Sequence, residues 1–294
     1  MPPPVTNALT VDVEDYFHVS AFADTIARED WDRHECRVEA NTRRLLDLFE
    51  RHRTLATFFV LGWVAERYPA LVREIAARGH EVACHGYSHR LVYEQTPDEF
   101  RAETLRAKAT LEDQVQCPVL GYRAASYSIT RDSLWALDIL AEAGFGYDSS
   151  IFPVHHDRYG IPDAPTTPYC MTTANGGQLV EFPLSTYRLL GYRLPMAGGG
   201  YFRLYPYAFT RMALRAINRA GQPFIFYLHP WEVDPDQPRI AASRLSRFRH
   251  YNSLDRCEQR LDRLLGAFSF TTARSVLEGL EAWGKTPCGI AAHA

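Results

Sequence analysis

Short apolar runs alternate with amphipathic stretches along almost the whole chain, and this alternation constrains the fold more than any other feature. Eight runs are predicted to form strands: Ala8–Val13, Ala56–Leu61, Glu81–Cys84, Val119–Tyr122, Phe145–Asp148, Leu179–Pro183, Phe224–Leu228 and Phe268–Thr271. Six stretches carry apolar residues three and four positions apart, as helices do: Asn41–Arg51, Trp63–Arg78, Pro97–Val115, Arg131–Ala143, Pro206–Ala220 and Leu254–Leu265. Strands that alternate with helices pair in parallel, so the sequence predicts an α/β fold for which a barrel is the natural closure.

The length of 294 residues suits one large α/β domain or two small ones. Because no internal repeat or low-complexity linker interrupts the chain, we expect a single domain over residues 5–283. The segment Val154–Gly177 is polar and rich in Pro and Gly, so it is predicted to be a loop. The end, Gly284–Ala294, is predicted to be a flexible tail.

Composition argues against several classes of protein. The formal net charge is −3 and no basic run is present, so a nucleic-acid partner is not expected. The six cysteines form no Cys-x-x-Cys pair, which argues against a zinc ribbon or a redox motif and favours reduced thiols. We expect no secretion signal and no transmembrane segment, because no apolar run approaches the required ~18 residues. The sequence therefore favours a cytoplasmic protein that reaches a membrane only through partners.

Acidic residues close the first predicted strand. In parallel α/β folds the working residues follow the carboxyl ends of strands. Strand alternation puts Asp12 and Glu14 on the same face, and Asp15 follows directly. Clustered acids repel each other unless they are exposed or bind a cation. Such a group is either a solvated turn or part of a cation site.

Two histidines four positions apart follow the strand Glu81–Cys84. His85 and His89 can face one way if the chain turns helically, and imidazole suits Zn²⁺, Co²⁺ or Ni²⁺. A pair of surface histidines is the alternative. Two histidines and one carboxylate make a metal site with open positions for water and substrate.

Two further polar residues end predicted strands. Arg123 follows Val119–Tyr122, where it could hold a carboxylate ionised and aimed, or form a purely structural ion pair. His229 follows the apolar strand Phe224–Leu228 and is placed like an acid or base, with a satisfied core histidine as the alternative.

The ordered segments DVED, HGYSH, GYRAAS and FYLHPWE together resemble the motif set of the polysaccharide deacetylase family (NodB homology, carbohydrate esterase family 4). The likeness is greatest to the peptidoglycan-deacetylase-like and allantoinase-like branch and to deacetylases of exosortase-linked exopolysaccharide loci. It runs from about Leu9 to Trp231, which leaves 232–283 as a C-terminal extension. The resemblance implies a distorted (β/α) barrel of seven or eight mostly parallel strands.

The resemblance also implies residue roles. Asp12 matches the catalytic base, His229 the catalytic acid and Arg123 the residue that orients the base, while the metal ligands match Glu14, His85 and His89. Asp148 matches the fourth motif loosely. Two departures leave questions open, since Asp15 competes with Glu14 as the metal acid, and RAAS replaces Arg-Pro-Pro. The oxyanion-binding amide is therefore either that of Ser126 or that of Tyr127.

The implied activity is metal-dependent hydrolysis of N-acetyl groups on N-acetylhexosamine units of an exopolysaccharide or peptidoglycan-like glycan. Asp12 would deprotonate water activated by a divalent metal, Zn²⁺ first and Co²⁺ or Ni²⁺ as alternatives. Substrate contacts are expected from Asp148, Tyr127, Tyr201 and Trp231, although a core role is as common for such aromatic residues. The loop from His155 to Arg158 is expected to line the substrate site or the surface.

Two other functions are compatible with the sequence: that of a metal-independent allantoinase-like amidohydrolase, and that of an inactive glycan-binding member of a polysaccharide-synthesis complex. Exopolysaccharide-synthesis proteins are the expected protein partners in either case.

Overall fold

The computed structural model describes residues 5–280, and its centre is one sheet of nine strands. Its strands are β1 (Thr6–Val13), β2 (Thr57–Val60), β3 (Glu81–Cys84), β4 (Gly121–Tyr122), β5 (Tyr147–Asp148), β6 (Tyr169–Thr172), β7 (Gln178–Glu181), β10 (Ile225–Leu228) and β11 (Ser269–Thr271). A separate hairpin consists of β8 (Thr186–Leu189) and β9 (Tyr192–Pro195). Ten α-helices accompany these strands in the described part of the chain: α1 (Val38–Arg51), α2 (Gly62–Arg67), α3 (Pro69–Ala77), α4 (Pro97–Val115), α5 (Trp135–Glu142), α6 (Gly199–Leu204), α7 (Tyr207–Arg219), α8 (Arg244–Tyr251), α9 (Leu254–Leu265) and α10 (Ala273–Glu278).

The sheet runs β10-β1-β2-β3-β4-β5-β7-β6, and β11 pairs with the start of β1. Every pairing in it is parallel except that of β6 with β7. All eight predicted strands are present, so the predicted α/β fold with a mostly parallel sheet is confirmed. Because the carboxyl ends of parallel strands lie at one edge, the residues that follow β1, β3, β4 and β10 come together.

Closure of the barrel is irregular between β7 and β10. Within residues 5–280 no strand ladder joins these two strands. Instead, the Ile225 amide donates to Ser185 Oγ at 2.8 Å, and the Tyr227 amide donates to the Ala197 carbonyl at 2.6 Å. Gly198 has φ +120°, and a Cβ there would lie 2.0 Å from the Tyr227 carbonyl oxygen. Only glycine allows this close approach, which distorts the barrel.

The two faces of β1 show how the strand presents the site. Leu9, Val11 and Val13 belong to the larger apolar core, which includes helix residues. Ala8 belongs to the second core inside the barrel, together with residues of several other strands. Strand alternation therefore directs Asp12 inward, on the same side as Ala8.

Two predicted helices are interrupted. The stretch Trp63–Arg78 is divided into α2 and α3 because Pro69 cannot donate the backbone hydrogen bond that a continuous helix requires. The stretch Arg131–Ala143 begins with a 3₁₀ turn over Arg131–Ser133, after which α5 follows.

The prediction that Val154–Gly177 is only a loop was wrong, because it contains β6. That strand is an antiparallel addition at the end of the sheet, and all four of its residues are only half-buried. It therefore lacks the apolar run that made the central strands recognisable. The sequence analysis also missed α6, α8, α10 and the β8–β9 hairpin.

The C-terminal region completes the barrel. The Ala273 amide at the start of α10 donates to Thr57 Oγ1 at 2.8 Å, and Leu277 lies in the inner core with Ala8. The predicted tail 284–294 lies outside the described residues. No helix within residues 5–280 combines the length and apolar character needed to cross a bilayer. The five cysteines in the described part are free thiols.

Candidate active site

Six predicted site residues meet at the carboxyl edge of the sheet. Asp12 lies in β1, and the other residues follow the ends of β1, β3, β4 and β10. Five are nearly inaccessible to solvent, whereas His229 is half-buried: the five are Asp12, Glu14, His85, His89 and Arg123. Buried charges and imidazoles of this kind persist only when they are paired or bind an ion.

Glu14, His85 and His89 form a compact group. Each offers one ligand atom, and these atoms lie within 4.8 Å of one another. Glu14 Oε2 is 2.7 Å from His89 Nε2 but is buried without a well-oriented hydrogen-bond partner. A buried carboxylate oxygen left in this way fits a shared cation. Two imidazoles and one carboxylate are the donor set that Zn²⁺, Co²⁺ and Ni²⁺ prefer.

His85 is held in the state that a metal ligand needs. Its Nδ1 is 2.8 Å from the Arg123 carbonyl oxygen. Because a carbonyl only accepts, Nδ1 carries the proton and Nε2 keeps its lone pair. Burial lowers the pKa of His85 to about 4, so the ring is neutral at pH 7.

Burial by itself would raise the pKa of Glu14, but His89 and His229 lower it well below its usual range. Glu14 is therefore ionised at neutral pH.

The turn that joins the two histidines is not helical. A helical turn was one way for His85 and His89 to face the same side, but here an irregular bend over residues 85–90 brings them together. Gly86 has φ +73° and His89 has φ +52°. Left-handed backbone at a non-glycine residue is uncommon and concentrates at functional sites.

Asp15 accepts hydrogen bonds from backbone amides and is not part of the group formed by Glu14, His85 and His89. Its Oδ2 accepts from the amides of Arg37 and Val38 at 2.6 and 2.8 Å, at the start of α1. Its Oδ1 accepts from the Tyr16 amide at 2.9 Å. Both oxygens are thus engaged, and Glu14 is the acid that lies with the histidines.

Asp12 is held by a buried arginine. Arg123 Nη1 donates to Asp12 Oδ1 at 2.7 Å and to Thr10 Oγ1 at 2.8 Å. The rest of the guanidinium donates to Ser149, to Oγ at 3.0 Å and to the carbonyl at 3.2 Å. Such fixed donors hold the Asp12 carboxylate in place and orient its second oxygen, Oδ2. The nearest recorded donor to Oδ2 is the Tyr127 hydroxyl at 3.5 Å.

His229 faces both carboxylates from β10. Its Nε2 is 3.5 Å from Glu14 Oε1 and 3.9 Å from Asp12 Oδ2. Its Nδ1 is 3.1 Å from Glu232 Oε2. Although burial lowers its pKa, the carboxylates of Glu14, Glu232 and Asp12 outweigh burial and raise the pKa of His229 to about 9. The ring is therefore a cation at neutral pH.

A buried pair that the sequence did not reveal, Arg203 and Glu232, supports His229. Glu232 Oε1 accepts from Arg203 Nε at 2.6 Å, and both side chains are buried. A 3₁₀ turn over Pro230–Val233 brings Glu232 back to the histidine. The available signal was the glutamate at the end of FYLHPWE. Nothing in the local sequence pointed to Arg203, which comes from α6.

His18, also missed, lies beside the site between Trp31 and Trp63, with ring centroids 4.3 and 4.9 Å away. Its Nδ1 accepts from the Asp15 amide at 2.8 Å. The proton of the neutral ring is therefore on Nε2, and burial lowers the pKa of His18. His18 thus has no lone pair to offer a cation.

The predicted substrate contacts have different fates. Tyr201 lines a cavity of about 460 Å³ beside the site. Trp231 is buried, and its indole lies between His229 and His250 at ring-centroid distances of 5.0 and 4.1 Å. Its ring faces are therefore covered, and the prediction that Trp231 stacks on a sugar ring is wrong. Trp231 Nε1 donates to Glu14 Oε1 at 3.3 Å.

Asp148 is also fully buried and cannot reach a substrate without rearrangement. It accepts from Ser150 Oγ at 2.6 Å, and burial raises its pKa beside Glu181. Asp148 is therefore a structural residue of the barrel wall, where its carboxyl lies beside that of Glu181.

Of the two candidate oxyanion amides, one is engaged. The Tyr127 amide donates to the Ala124 carbonyl at 3.1 Å. Within the described residues no hydrogen bond from the Ser126 amide is recorded, and Ser126 has φ +50°. The structure therefore favours Ser126 over Tyr127 as a backbone donor.

Two family models match separate parts of this chain. A family model of polysaccharide deacetylases matches residues 29–147, and a model of a domain of unknown function (DUF3473) matches residues 149–278. Residues 29–147 are thus a polysaccharide deacetylase domain. Asp12, Glu14 and His229 lie outside this matched segment, so their assignment depends on the geometry above.

Curated relatives match this chain over limited lengths. A chitooligosaccharide deacetylase from Rhizobium leguminosarum bv. trifolii is 36% identical over 115 residues, which is 39% of this chain and 49% of the relative. A peptidoglycan-N-acetylglucosamine deacetylase from Bacillus cereus is 37% identical over 70 residues, which is 24% of this chain and 26% of the relative. The chain spans about half or less of the length of the curated relatives it matches first.

Solved structures share the fold over the whole length. The crystal structure of a Mycobacterium smegmatis protein assigned to the polysaccharide deacetylases has a TM-score of 0.62 and 21% identity, and it covers 100% of this chain and 96% of that chain. At this identity the likeness shows the fold alone.

Proposed function

We propose that this chain is a metal-dependent hydrolase that removes N-acetyl groups from N-acetylhexosamine units of a glycan. The observation that carries the proposal is the group of Glu14, His85 and His89, with ligand atoms within 4.8 Å of one another. This group adjoins two further side chains. One is Asp12, whose carboxylate is held by Arg123, and the other is the protonated His229. Amide hydrolysis requires a proton acceptor and a proton donor around a polarised carbonyl, and this arrangement offers them.

Glu14, His85 and His89 would hold the divalent metal, for which Zn²⁺ is our first choice. A metal ion at this position supplies Lewis acidity, which lowers the pKa of water and polarises the amide carbonyl. The neutral state of His85 and the ionised state of Glu14 both support this assignment.

Asp12 is the proposed base. Arg123 engages Asp12 Oδ1, which leaves Oδ2 as the oxygen that takes the proton from the attacking water. Since Arg123 holds the carboxylate in place, the base needs no further conformational step.

His229 is the proposed acid. Its Nδ1 proton is committed to Glu232, so Nε2–H is the group that delivers a proton to the leaving nitrogen. A pKa of about 9 keeps that proton available at pH 7. The products are acetate and a free amine. The Ser126 amide is our candidate for stabilising the tetrahedral oxyanion.

The substrate is proposed from the relatives, which are named chitooligosaccharide and peptidoglycan deacetylases. Acetate release from N-acetylglucosamine oligomers, peptidoglycan fragments and N-acetylated exopolysaccharide tests the activity directly, with metal-free protein and with added Zn²⁺ or Co²⁺. Release from metal-free protein would favour the allantoinase-like alternative. Glycan binding without any release would favour an inactive binding protein.

A further inference from the structure

A second feature of the catalytic face is the cavity of about 460 Å³ that opens beside the site. Seven separate segments build it, and two of its lining residues, Ser126 and Tyr227, connect it to the proposed catalytic groups. The Tyr227 ring lies 5.6 Å from the His229 ring and 5.1 Å from the Tyr127 ring. A polymer whose acetamido group lies between Asp12 and His229 would therefore extend its neighbouring unit into this cavity.

The lining is positively charged, although the chain as a whole has a formal charge of −3. It contains Arg158 and Arg249 and, within the described residues, no aspartate or glutamate. Arg158 reaches only the Ser20 carbonyl, at 3.4 Å through Nη1. In the part of the chain that the structure describes, neither guanidinium forms an ion pair. Two arginines without carboxylate partners in one concave site are poised for an anion.

Both arginines act on the same histidine. Burial lowers the pKa of His156, the nearby Asp157 opposes this effect, and the charges of Arg249 and Arg158 lower the pKa further. Asp157 itself is 72% exposed and is not part of the lining. Arg158 and Arg249 belong to separate segments, and both line the same cavity as His156.

Aromatic side chains form the rest of the wall. The Tyr159 and Tyr201 hydroxyls are 3.1 Å apart, and the His156 ring stacks on Tyr159 with centroids 3.8 Å apart. Phe248 is 56% exposed at the rim. Exposed aromatic faces suit the apolar faces of sugar rings, and the hydroxyls suit their polar edges.

An adjoining cavity has a different charge. This cavity of about 390 Å³ next to His89 shares Arg158 with the first and is also lined by Arg28 and by three acids, Asp24, Glu29 and Glu94. Its acids offset its basic residues, so the excess positive charge belongs to the side lined by Arg249.

We propose that the cavity lined by Arg158, Arg249 and Tyr201 binds a sugar unit carrying a carboxylate or a phosphate, next to the N-acetylhexosamine that is deacetylated. This inference rests on the proposed function, because that function defines which unit occupies the centre. A neutral sugar would leave both guanidinium groups without a partner, whereas a planar carboxylate or a phosphate matches the guanidinium fork.

Equilibrium binding tests this inference in an Asp12→Asn background, where turnover does not consume the ligands. One probe pair is neutral tetra-N-acetylchitotetraose and a hyaluronan tetrasaccharide, and the other is N-acetylglucosamine and N-acetylglucosamine 1-phosphate. The anionic member of at least one pair is expected to bind about tenfold more tightly, with a preference that weakens as salt rises. The pair that shows the preference identifies carboxylate or phosphate as the group recognised.

The combined Arg158→Gln and Arg249→Gln substitutions should abolish this preference, and each single substitution should reduce it. Arg188→Gln, an exposed substitution on β8, should leave it unchanged. Equal affinities within both pairs, or a preference that survives the double substitution, would overturn the inference. Acetate release by the otherwise unaltered chain is measured separately, so that failure of deacetylation is distinguishable from failure of anion recognition.

Discussion

Arg123 Nη1 lies 2.7 Å from Asp12 Oδ1, and both side chains are buried at the inner face of the barrel. This contact links the end of β4 to β1 across two intervening strands. The guanidinium also packs over the Phe59 ring, with Cζ 4.1 Å from the centroid. Asp12 Oδ1 is thereby fixed by the arginine, whereas Oδ2 has no such partner and is the oxygen that we propose accepts a proton.

Replacing Asp12 with Asn should reduce kcat/KM by about 10²–10⁴-fold, because the amide cannot accept the proton of the attacking water. It should also destabilise the fold by roughly 3–5 kcal/mol, since Arg123 keeps its buried charge without a partner. Steady-state kinetics and urea unfolding measure the two effects. Thr10→Val is the matched control, since it removes a neighbouring contact of Arg123 but leaves the base. A Thr10 variant as inactive as the Asp12 variant would contradict the assigned role.

Glu14→Gln should weaken Zn²⁺ binding by at least about 10²-fold, because it removes a proposed ligand atom. This loss is at the upper end of, or above, the loss caused by mutating a residue that only hydrogen-bonds to a metal ligand. Asp15→Asn should leave Zn²⁺ affinity near that of the parent but lower stability by about 1 kcal/mol, because Asp15 accepts from the first amides of α1. Calorimetric titration and thermal unfolding of the two variants distinguish these roles. The opposite pattern would make Asp15 the metal acid.

Glu232→Gln should lower the pKa of His229, since the Glu232 carboxylate is one of the charges that raise it to about 9. His229 acts as an acid while it is protonated, so activity falls as pH rises past its pKa. The alkaline limb of the kcat/KM profile should therefore move to lower pH. Asp234→Asn is the control, because Asp234 pairs with Arg37 and not with His229. An unmoved limb in the Glu232 variant would exclude His229 as the titrating acid.

His80 should make the fold sensitive to acid. Its Nδ1 accepts from the Ala56 amide at 3.1 Å, and burial lowers the pKa of His80 to about 4 from an ordinary value of 6.5. The unfolded chain binds the proton first, so stability is full above pH 6.5 and falls as pH drops towards 4. We expect His80 to account for about 1–2 kcal/mol of the loss between pH 7 and pH 4.5.

Urea unfolding at these two pH values should therefore show a smaller loss for His80→Gln than for the parent chain. His52→Gln provides the control, because His52 lies at the surface beside Asp262. If the pH dependence of the His80 variant equals that of the parent, His80 is not a buried neutral histidine.

Much of this fold was predictable because its central strands are buried on both faces and appear as apolar runs. The site residues were predictable for the same reason, since Glu14, His85, Arg123 and His229 each follow such a run. Their convergence follows from parallel pairing, which brings the carboxyl ends of the strands to one edge.

The remaining features depend on contacts between distant segments. Arg203 supports Glu232 across 29 positions, and no local pattern identifies that pair. Asp15 and Glu14 are adjacent acids in the sequence, and only the position of the α1 amides separates their roles. The half-buried strand β6 lacks an apolar run, so periodicity could not reveal it.

We expect amide hydrolysis to require one divalent ion bound by Glu14, His85 and His89. The most direct test titrates Zn²⁺ into metal-free protein while acetate release from an N-acetylglucosamine oligomer and bound zinc are measured together. We predict no release without metal and activity that rises in proportion to occupancy, up to one ion per chain. Full acetate release by metal-free protein, or zinc binding that is unchanged in the Glu14→Gln variant, would contradict the account.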